Sequence, residues 1–185
     1  MSTDQLPADE QNDRRVERTR QALQGAFIAL ILERRYEDIR VADIVVRAGV
    51  GRSTFYEHFR GKEEVFERTF AGLLAILADA VCGRRDRLPF VVSHFWDNRR
   101  LARTAFGPPL NAAVRRWLAA MIAERAPPGS GREVVRMAAI QTAAAQISVL
   151  EAWLTGQLVA SRVQMVDSLA GAAPLWYCGG VSPGK

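Results

Sequence analysis

The side chains best suited to chemistry lie close together between residues 40 and 62, in the run RVADIVVRAGVGRSTFYEHFRGK. This run combines short hydroxyls, an imidazole, a phenol and several cations. Groups of these types form hydrogen bonds with phosphate oxygens and with the edges of bases. The sequence holds no nucleophile–base pair, no glycine-rich phosphate loop and no metal-ligand spacing of His and Cys. The run therefore favours binding of a nucleic acid over catalysis, and neither a metal nor a cofactor is expected.

Two short helices that meet at a tight turn must hold these side chains. Apolar residues recur at helical spacing over Val41 to Ala48, which predicts a first helix. Gly49 follows at once, and glycine adopts the positive φ of a tight turn without a steric clash. A second helix is predicted over Arg52 to Phe59, where Phe55 and Phe59 share one face and point towards the core. This order is typical of a helix-turn-helix DNA reader.

A longer segment, Arg14 to Phe66, resembles the N-terminal domain of the TetR (tetracycline-repressor-like) family of bacterial transcriptional regulators. The family's run is roughly T-V-x-D-I-A-x-x-A-G-V-S-x-G-T-F-Y-x-H-F-x-x-K-E-E-L. The matching positions are Val41, Asp43, Ile44, Ala48, Gly49, Val50, Thr54, Phe55, Tyr56, His58, Phe59, Lys62, Glu63 and Glu64. So many matches in one run are far more specific than a short motif. The resemblance by motif covers about the first third of the chain.

The resemblance implies DNA contacts for seven residues, namely Arg40, Arg52, Ser53, Thr54, Tyr56, His58 and Lys62. Thr54 and Tyr56 are expected at phosphates and base edges, and Lys62 is expected to clamp a phosphate at the start of the next helix. The chain also departs from the family's pattern. Arg40 stands where a capping Thr is usual, and Gly51 stands where Ser is usual. Ser53 replaces a common Gly, which implies an operator that differs from those of relatives.

Two residues of the second helix leave alternatives open. Tyr56 is expected at the DNA surface, yet a tyrosine between two phenylalanines can also simply pack. Glu57 is acidic on the exposed face. It can accept a hydrogen bond from a cytosine amino group, or it can point away from the DNA.

Composition agrees with a polyanionic partner. The net charge is +5, the pI is about 9.9 and 49% of the residues are hydrophobic, which is enough for a core. Residues 14–62 carry eleven Lys or Arg and six acids, whereas residues 1–13 carry four acids and no base. The two cysteines, Cys82 and Cys178, indicate a reduced, cytoplasmic protein. No signal peptide is recognised, and the uncharged run from Met137 to Leu150 is too short for a membrane span.

The whole chain reads as all-α, with a three-helix DNA-binding head followed by a helical ligand-binding and dimerisation domain. We expect a disordered acidic tail over residues 1–13, the head over 14–62, the second domain over 63–178 and a loose tail over 179–185. The predicted helices outside the motif cover residues 16–34, 61–82, 88–98, 100–106, 110–125, 132–155 and 162–173.

The long helix over residues 132–155 has apolar residues on two faces, one of which carries Met137, Ile140, Ala144, Ile147 and Leu154. Burial on two sides indicates a homodimer that is formed through residues 132–155 and 162–173, although both faces can also be intramolecular core. A dimer suits a helix-turn-helix protein, because two recognition helices about 34–36 Å apart meet successive major grooves.

The resemblance also implies a pocket for a small-molecule effector in the second domain. Candidate lining residues, each of which can equally be simple core, are Trp96, Phe106, Trp117, Met121, Met137, Gln141 and Trp153. Cys82 can serve as a redox sensor or be an inert thiol. The favoured function is a ligand-responsive regulator, a repressor that binds a palindromic operator as a dimer. The alternatives are a helical protein-interaction module whose head no longer binds DNA specifically and, last, an enzyme.

Overall fold

The computed structural model describes residues 8–171, which form nine α-helices and one short 3-10 helix, without a strand. The all-α prediction is therefore confirmed for this part of the chain. The helices are α1 (Ala8–Glu33), α2 (Val41–Ala48), α3 (Arg52–His58), α4 (Lys62–Val81), α5 (Leu88–Asp97), α6 (Arg99–Phe106), α7 (Asn111–Ala123), α8 (Arg132–Thr155) and α9 (Arg162–Gly171), and the 3-10 helix covers Tyr36–Asp38. Our predictions for residues 172–185, including the one for Cys178, concern residues outside the described part.

Helix α1 begins at Ala8, eight residues before the predicted start at Val16. Residues 8–13 of the segment that we expected to be disordered are therefore helical. Acidic residues such as Glu10 and Asp13 sit in the first turns, where they interact favourably with the positive end of the helix dipole. The apolar stripe that guided the prediction starts only later in the helix, so periodicity alone could not place this start.

Two compact units meet between Thr69 and Phe70. We call the described part of the first unit, residues 8–69, the head. Its core is built from α1, α2, α3 and the first turns of α4, and consists of Leu23, Ala26, Phe27, Leu30, Ile31, Ile39, Ile44, Val45, Phe55, Phe59, Val65 and Phe66. The rings of Phe27 and Phe66 lie 6.1 Å apart. Val65 and Phe66 of α4 are buried in this core and follow residue 62, where we expected the head to end.

We call the described part of the second unit, residues 70–171, the body. Helix α7 packs along α8, α6 also packs on α8, and α5 packs on α9. Gly156 ends α8 in the left-handed conformation, with φ of 83°. None of the helices within residues 8–171 combines the length and apolar character that a membrane crossing requires.

Candidate DNA-binding interface

The turn between α2 and α3 depends on Gly49. Its φ is 66°, and its N–H and that of Val50 reach back to carbonyl oxygens in the last turn of α2. A residue with a Cβ is strained in this left-handed conformation. Gly49 therefore sets the angle at which α3 leaves α2, as the sequence predicted.

Helix α3 is anchored by its two phenylalanines. Phe55 is fully buried and Phe59 is 1% exposed, and their ring centroids lie 5.8 Å apart. A seven-residue helix is not stable by itself, so its position depends on this packing. Because one face is fixed in the core, the opposite face presents its side chains to solvent in a defined orientation.

The outer face of α3 carries Arg52, Ser53, Tyr56 and Glu57, which are all exposed. Tyr56 is 49% exposed, and its ring meets Phe55 edge-on at 5.3 Å. It therefore packs and faces solvent at the same time, which answers the question left open above. The guanidinium carbon of Arg52 lies 5.8 Å from the Tyr56 ring centroid, so the two side chains are associated before any ligand arrives. Thr54 and His58 lie at the margins of this face and are half-buried.

At the start of α2, Arg40 donates its backbone N–H to the carboxylate of Asp43, at 2.8 Å, and its own side chain is exposed. This hydrogen bond lowers the pKa of Asp43, and the nearby Arg34 guanidinium lowers it further although partial burial acts in the opposite direction. This contact is the half of a capping box in which the side chain of the third helical residue accepts the N–H of the capping residue, and the hydroxyl half is missing. The Arg40 side chain remains available to a phosphate.

Lys62, which we expected to contact a phosphate, forms hydrogen bonds within the head. Its ammonium group donates to the carbonyl oxygens of Tyr36 at 2.9 Å, Ile39 at 2.8 Å and Glu37 at 3.4 Å. An ammonium group has three hydrogens to donate, so all three are engaged within the head. The geometry thus gives Lys62 a structural role, because it holds the 3-10 segment that leads into α2. Its family position could not reveal these partners, which lie more than twenty residues away.

Two further contacts, which the sequence analysis missed, hold α2 and α3 in place. The Arg47 guanidinium forms a bidentate pair with Glu33, at 2.5 and 2.6 Å, which joins α2 to α1. This hydrogen bonding lowers the pKa of Glu33. The Glu64 carboxylate accepts the backbone N–H of Arg60 at 2.9 Å and fixes the α3–α4 connection. The only sequence signal for such pairs is opposite charge, which does not reveal which residues meet.

The geometry of the head agrees with comparisons to known proteins. The family model for bacterial regulatory proteins of the tetR family matches residues 26–69. A 60-residue stretch is 43% identical to the HTH-type transcriptional regulator YxbF of Bacillus subtilis (strain 168). Residues 26–69 are thus similar to the DNA-binding region of TetR-family regulators. The 60-residue stretch is 32% of this chain but spans only 16% of YxbF.

Solved structures extend the likeness in fold beyond the head. A TetR transcriptional regulator from Streptococcus agalactiae 2603V superposes with a TM-score of 0.59 at 24% identity, over 90% of this chain and 99% of the other. The dihydroxyacetone kinase operon activator DhaS gives a TM-score of 0.52 at 18% identity, over 82% and 91% of the two chains. At these identities the two structures show a shared fold.

In the body, the seven candidate effector residues do not surround one common space. Trp153 is buried, stacks on Trp96 with ring centroids 4.6 Å apart, and donates its indole N–H to the carbonyl of Ala160 at 2.8 Å. Phe106 is fully buried and meets Phe95 edge-on at 4.9 Å. These contacts are those of core residues.

The remaining candidates are separated from this aromatic cluster. Met137 is 56% exposed and Gln141 is exposed, so both point outwards from α8. Met137 and Trp153 are sixteen residues apart on the same helix, which places them about 24 Å apart along its axis. Trp117 and Met121 are half-buried on α7. A single small-molecule pocket cannot include all of these residues in this conformation.

A buried polar residue of the body escaped the sequence analysis. Gln146 is 1% exposed, and neither its amide nitrogen nor its amide oxygen has a hydrogen-bond partner. It lies one turn after the buried Thr142 on the inner face of α8. The signal that could have revealed it is a Gln at a position where helical spacing predicts an apolar residue.

A shallow groove of about 260 Å³ lies between α7 and α8. Its floor consists of alanines and one isoleucine, and its rim carries two arginines; the lining residues are Arg116, Ala119, Ala120, Ala123, Arg136, Ala139 and Ile140. None of the seven candidate effector residues lines this groove. Ile140, which lines the groove, also belongs to an exposed apolar stripe on α8 with Val134 and Met137; each of the three is between 52% and 56% exposed.

The apolar face of α8 that carries Met137 is only partly exposed. Met137 and Ile140 face solvent, but Ile147 and Leu154 are buried in the core. On α9, Val163 is 69% exposed. Both helices that we expected at a dimer interface therefore carry exposed apolar side chains.

The end of α4 is joined to the end of α7 by a charge cluster. The Asp79 carboxylate accepts from Arg125 at 2.6 Å and from Arg84 at 2.5 Å. Cys82 lies beside these groups and is half-buried, and burial raises the pKa of its thiol. A raised pKa reduces the thiolate fraction and therefore the reactivity towards oxidants. The arrangement favours the inert-thiol alternative for Cys82.

Proposed function

We propose that this chain is a dimeric, ligand-responsive transcriptional regulator, a repressor that acts in the cytoplasm on a palindromic operator. The observation that carries the proposal is helix α3. Phe55 and Phe59 fix its inner face, while Arg52, Ser53 and Tyr56 lie exposed on its outer face. A short, rigidly held helix with a polar outer face suits insertion into the major groove.

Six of the seven candidate contacts remain part of this proposal. Arg40 and His58 approach phosphates, and Arg52, Ser53, Thr54 and Tyr56 form contacts to base edges or to the backbone. Lys62 acts indirectly, through its hydrogen bonds within the head. Since phosphate contacts supply much of the affinity, binding is expected to weaken steeply as the salt concentration rises.

The dimer is proposed to form through the exposed apolar residues of α8 and α9. An effector would act by binding better to the conformation in which the two heads do not fit one operator, because only such a difference in affinity can release the DNA. The body is its proposed site. The seven candidate residues lie in different surroundings within the body, so the proposal assigns no lining residues and no chemical class to the effector.

The second candidate function is a helical protein-interaction module whose head does not read DNA specifically. Two observations favour it: Lys62 is engaged within the head, and α3 carries the acid Glu57 on its outer face. Selection of bound sites from a pool of random DNA, with sedimentation of the free protein, separates the two functions. Enrichment of a palindromic site by a dimer supports the regulator, whereas the absence of any enriched site supports the interaction module. Placing the selected site over a promoter in a transcription assay then separates repression from activation.

A further inference from the structure

Glu57 is the single acid of α3 and lies on its outer face, between Tyr56 and His58. It is exposed, and no hydrogen bond or ion pair joins its carboxylate to another described residue. The nearby carboxylates of the head behave differently, since Glu33 is paired with Arg47, Asp43 with Arg34 and Glu64 with Arg68. Glu57 therefore carries an unpaired carboxylate on the face of α3 that is proposed to contact the DNA.

A free carboxylate at this place has a defined effect on DNA binding. The phosphates repel it, so every complex that contains it is weakened unless the carboxylate gains a specific partner. In the major groove, guanine presents two acceptors and thymine presents one. Adenine presents an amino donor with the N7 acceptor beside it, and cytosine presents its amino donor. Of the four bases, cytosine therefore matches a carboxylate best.

From this arrangement we infer that Glu57 determines specificity by requiring a cytosine in each operator half-site. The inference rests on the proposed function, because it assumes that α3 enters the major groove. Ser53 lies one turn before Glu57 on the same stripe, and Arg52 lies on the neighbouring stripe against Tyr56. The outer face thus presents a cation that suits guanine beside an anion that suits cytosine. Glu57 acts mainly by rejection, since guanine and thymine offer its carboxylate only acceptors at their edges, and adenine places the N7 acceptor beside its amino donor.

The test compares random-pool selections with the wild-type chain, Glu57→Gln and Glu57→Ala. Glu124→Gln is the matched control, because Glu124 is an exposed acid at the end of α7, in the body. We expect a cytosine at one symmetric position of the wild-type site. Glu57→Gln should select adenine there, because a carboxamide pairs with the N6 and N7 groups of adenine. Glu57→Ala should show no preference, and the ratio of affinities for the cytosine site and its substituted versions should fall roughly tenfold. Binding to unrelated DNA should become tighter for both Glu57 variants.

The outcomes separate this inference from the proposed function. If the wild-type chain selects a palindromic site and all four proteins select the same bases, the assignment of Glu57 is overturned and the regulator stands. If the wild-type chain enriches no site, both fail together. Circular dichroism of each variant confirms that the helices are intact, which we expect because the Glu57 side chain is exposed and unpaired.

Discussion

The ammonium nitrogen of Lys62 lies 4.4 Å from the centroid of the Tyr36 ring and 2.9 Å from the carbonyl oxygen of the same residue. The same ammonium group thus donates a hydrogen bond to a carbonyl oxygen of the 3-10 segment and packs on the aromatic ring beside it. Tyr36 is itself in contact with Phe27 and Phe66 of the head's core. Lys62 therefore fixes the chain just before α2, which in turn supports α3.

Replacing Lys62 by Met should lower the free energy of unfolding of the head by about 1–3 kcal/mol, because three carbonyl oxygens lose a charged donor. Operator affinity should fall as a consequence of the lost stability. The dependence of affinity on salt should keep its slope, since no phosphate contact is removed. Urea unfolding and DNA titration at several salt concentrations measure these quantities. A slope reduced by about 0.9 at unchanged stability would show a direct phosphate contact instead.

Replacing Tyr56 by Phe removes one exposed hydroxyl and keeps the ring against Phe55. Operator affinity should fall roughly tenfold, the contribution of one hydrogen bond to a charged group, while the dimer persists. Gel-shift titration with parallel sedimentation measures both. Tyr36→Phe is the control, because the Tyr36 hydroxyl donates within the head to Glu63 at 3.3 Å. Equal losses of affinity in the two variants would argue against a DNA contact by Tyr56.

Replacing Gln146 by Leu should stabilise the protein by about 1–2 kcal/mol, since it removes a buried amide without partners and keeps a similar volume. The change is measured as a shift in the urea midpoint. Gln141→Leu, on the exposed side of α8, should change stability by less than about 0.5 kcal/mol. A loss of stability in Gln146→Leu would reveal a bound partner, such as an ordered water molecule.

Replacing Asp79 by Asn should destabilise the body in a pH-dependent manner. Burial alone would raise the pKa of Asp79, but hydrogen bonds from Arg125 and Arg84 outweigh it and hold the pKa below its usual 3.8. A carboxylate with a depressed pKa contributes its stability above the unfolded-state value, and this contribution is lost as the pH falls through the folded-state value. The difference in stability between wild type and variant should therefore be full at neutral pH and shrink below about pH 4. Asp97→Asn, at the exposed pair with Arg162, should have little effect at any pH.

Replacing Ile140 by Glu should convert the dimer to monomers, because a charge is placed in the proposed apolar interface of α8. Sedimentation velocity over a range of concentrations measures the change. Phe90→Glu provides the control, since Phe90 is similarly exposed, at 56%, but lies on α5. A dimer that survives Ile140→Glu and dissociates in Phe90→Glu would place the interface elsewhere.

The sequence by itself determined the elements whose signals are local. The bounds of α2 and α8 agree with the prediction, and α3 differs by a single residue at its end. Gly49 follows the last residue of α2 and Gly156 follows the last residue of α8. Both adopt the left-handed backbone conformation that commonly ends a helix. The burial of Phe55 and Phe59 also follows from spacing alone, since residues four apart share one face of a helix.

Only the tertiary structure decided what depends on residues that are distant in the chain. Lys62 was expected at a phosphate, but its carbonyl partners are more than twenty residues away, and helical periodicity carries no information about them. Gln146 lies in the core without a hydrogen-bond partner, and Gln141, five residues earlier on another face of α8, is exposed; both are glutamines, so composition could not distinguish them. Met137 and Trp153 were both candidate pocket residues, yet sixteen residues of α8 separate them, about 24 Å along the helix axis. Hydrogen-bond partners and shared cavities arise from packing between helices. The spacing of residues along the sequence specifies which of them share one face of a helix, but it does not specify which residues of another helix that face contacts.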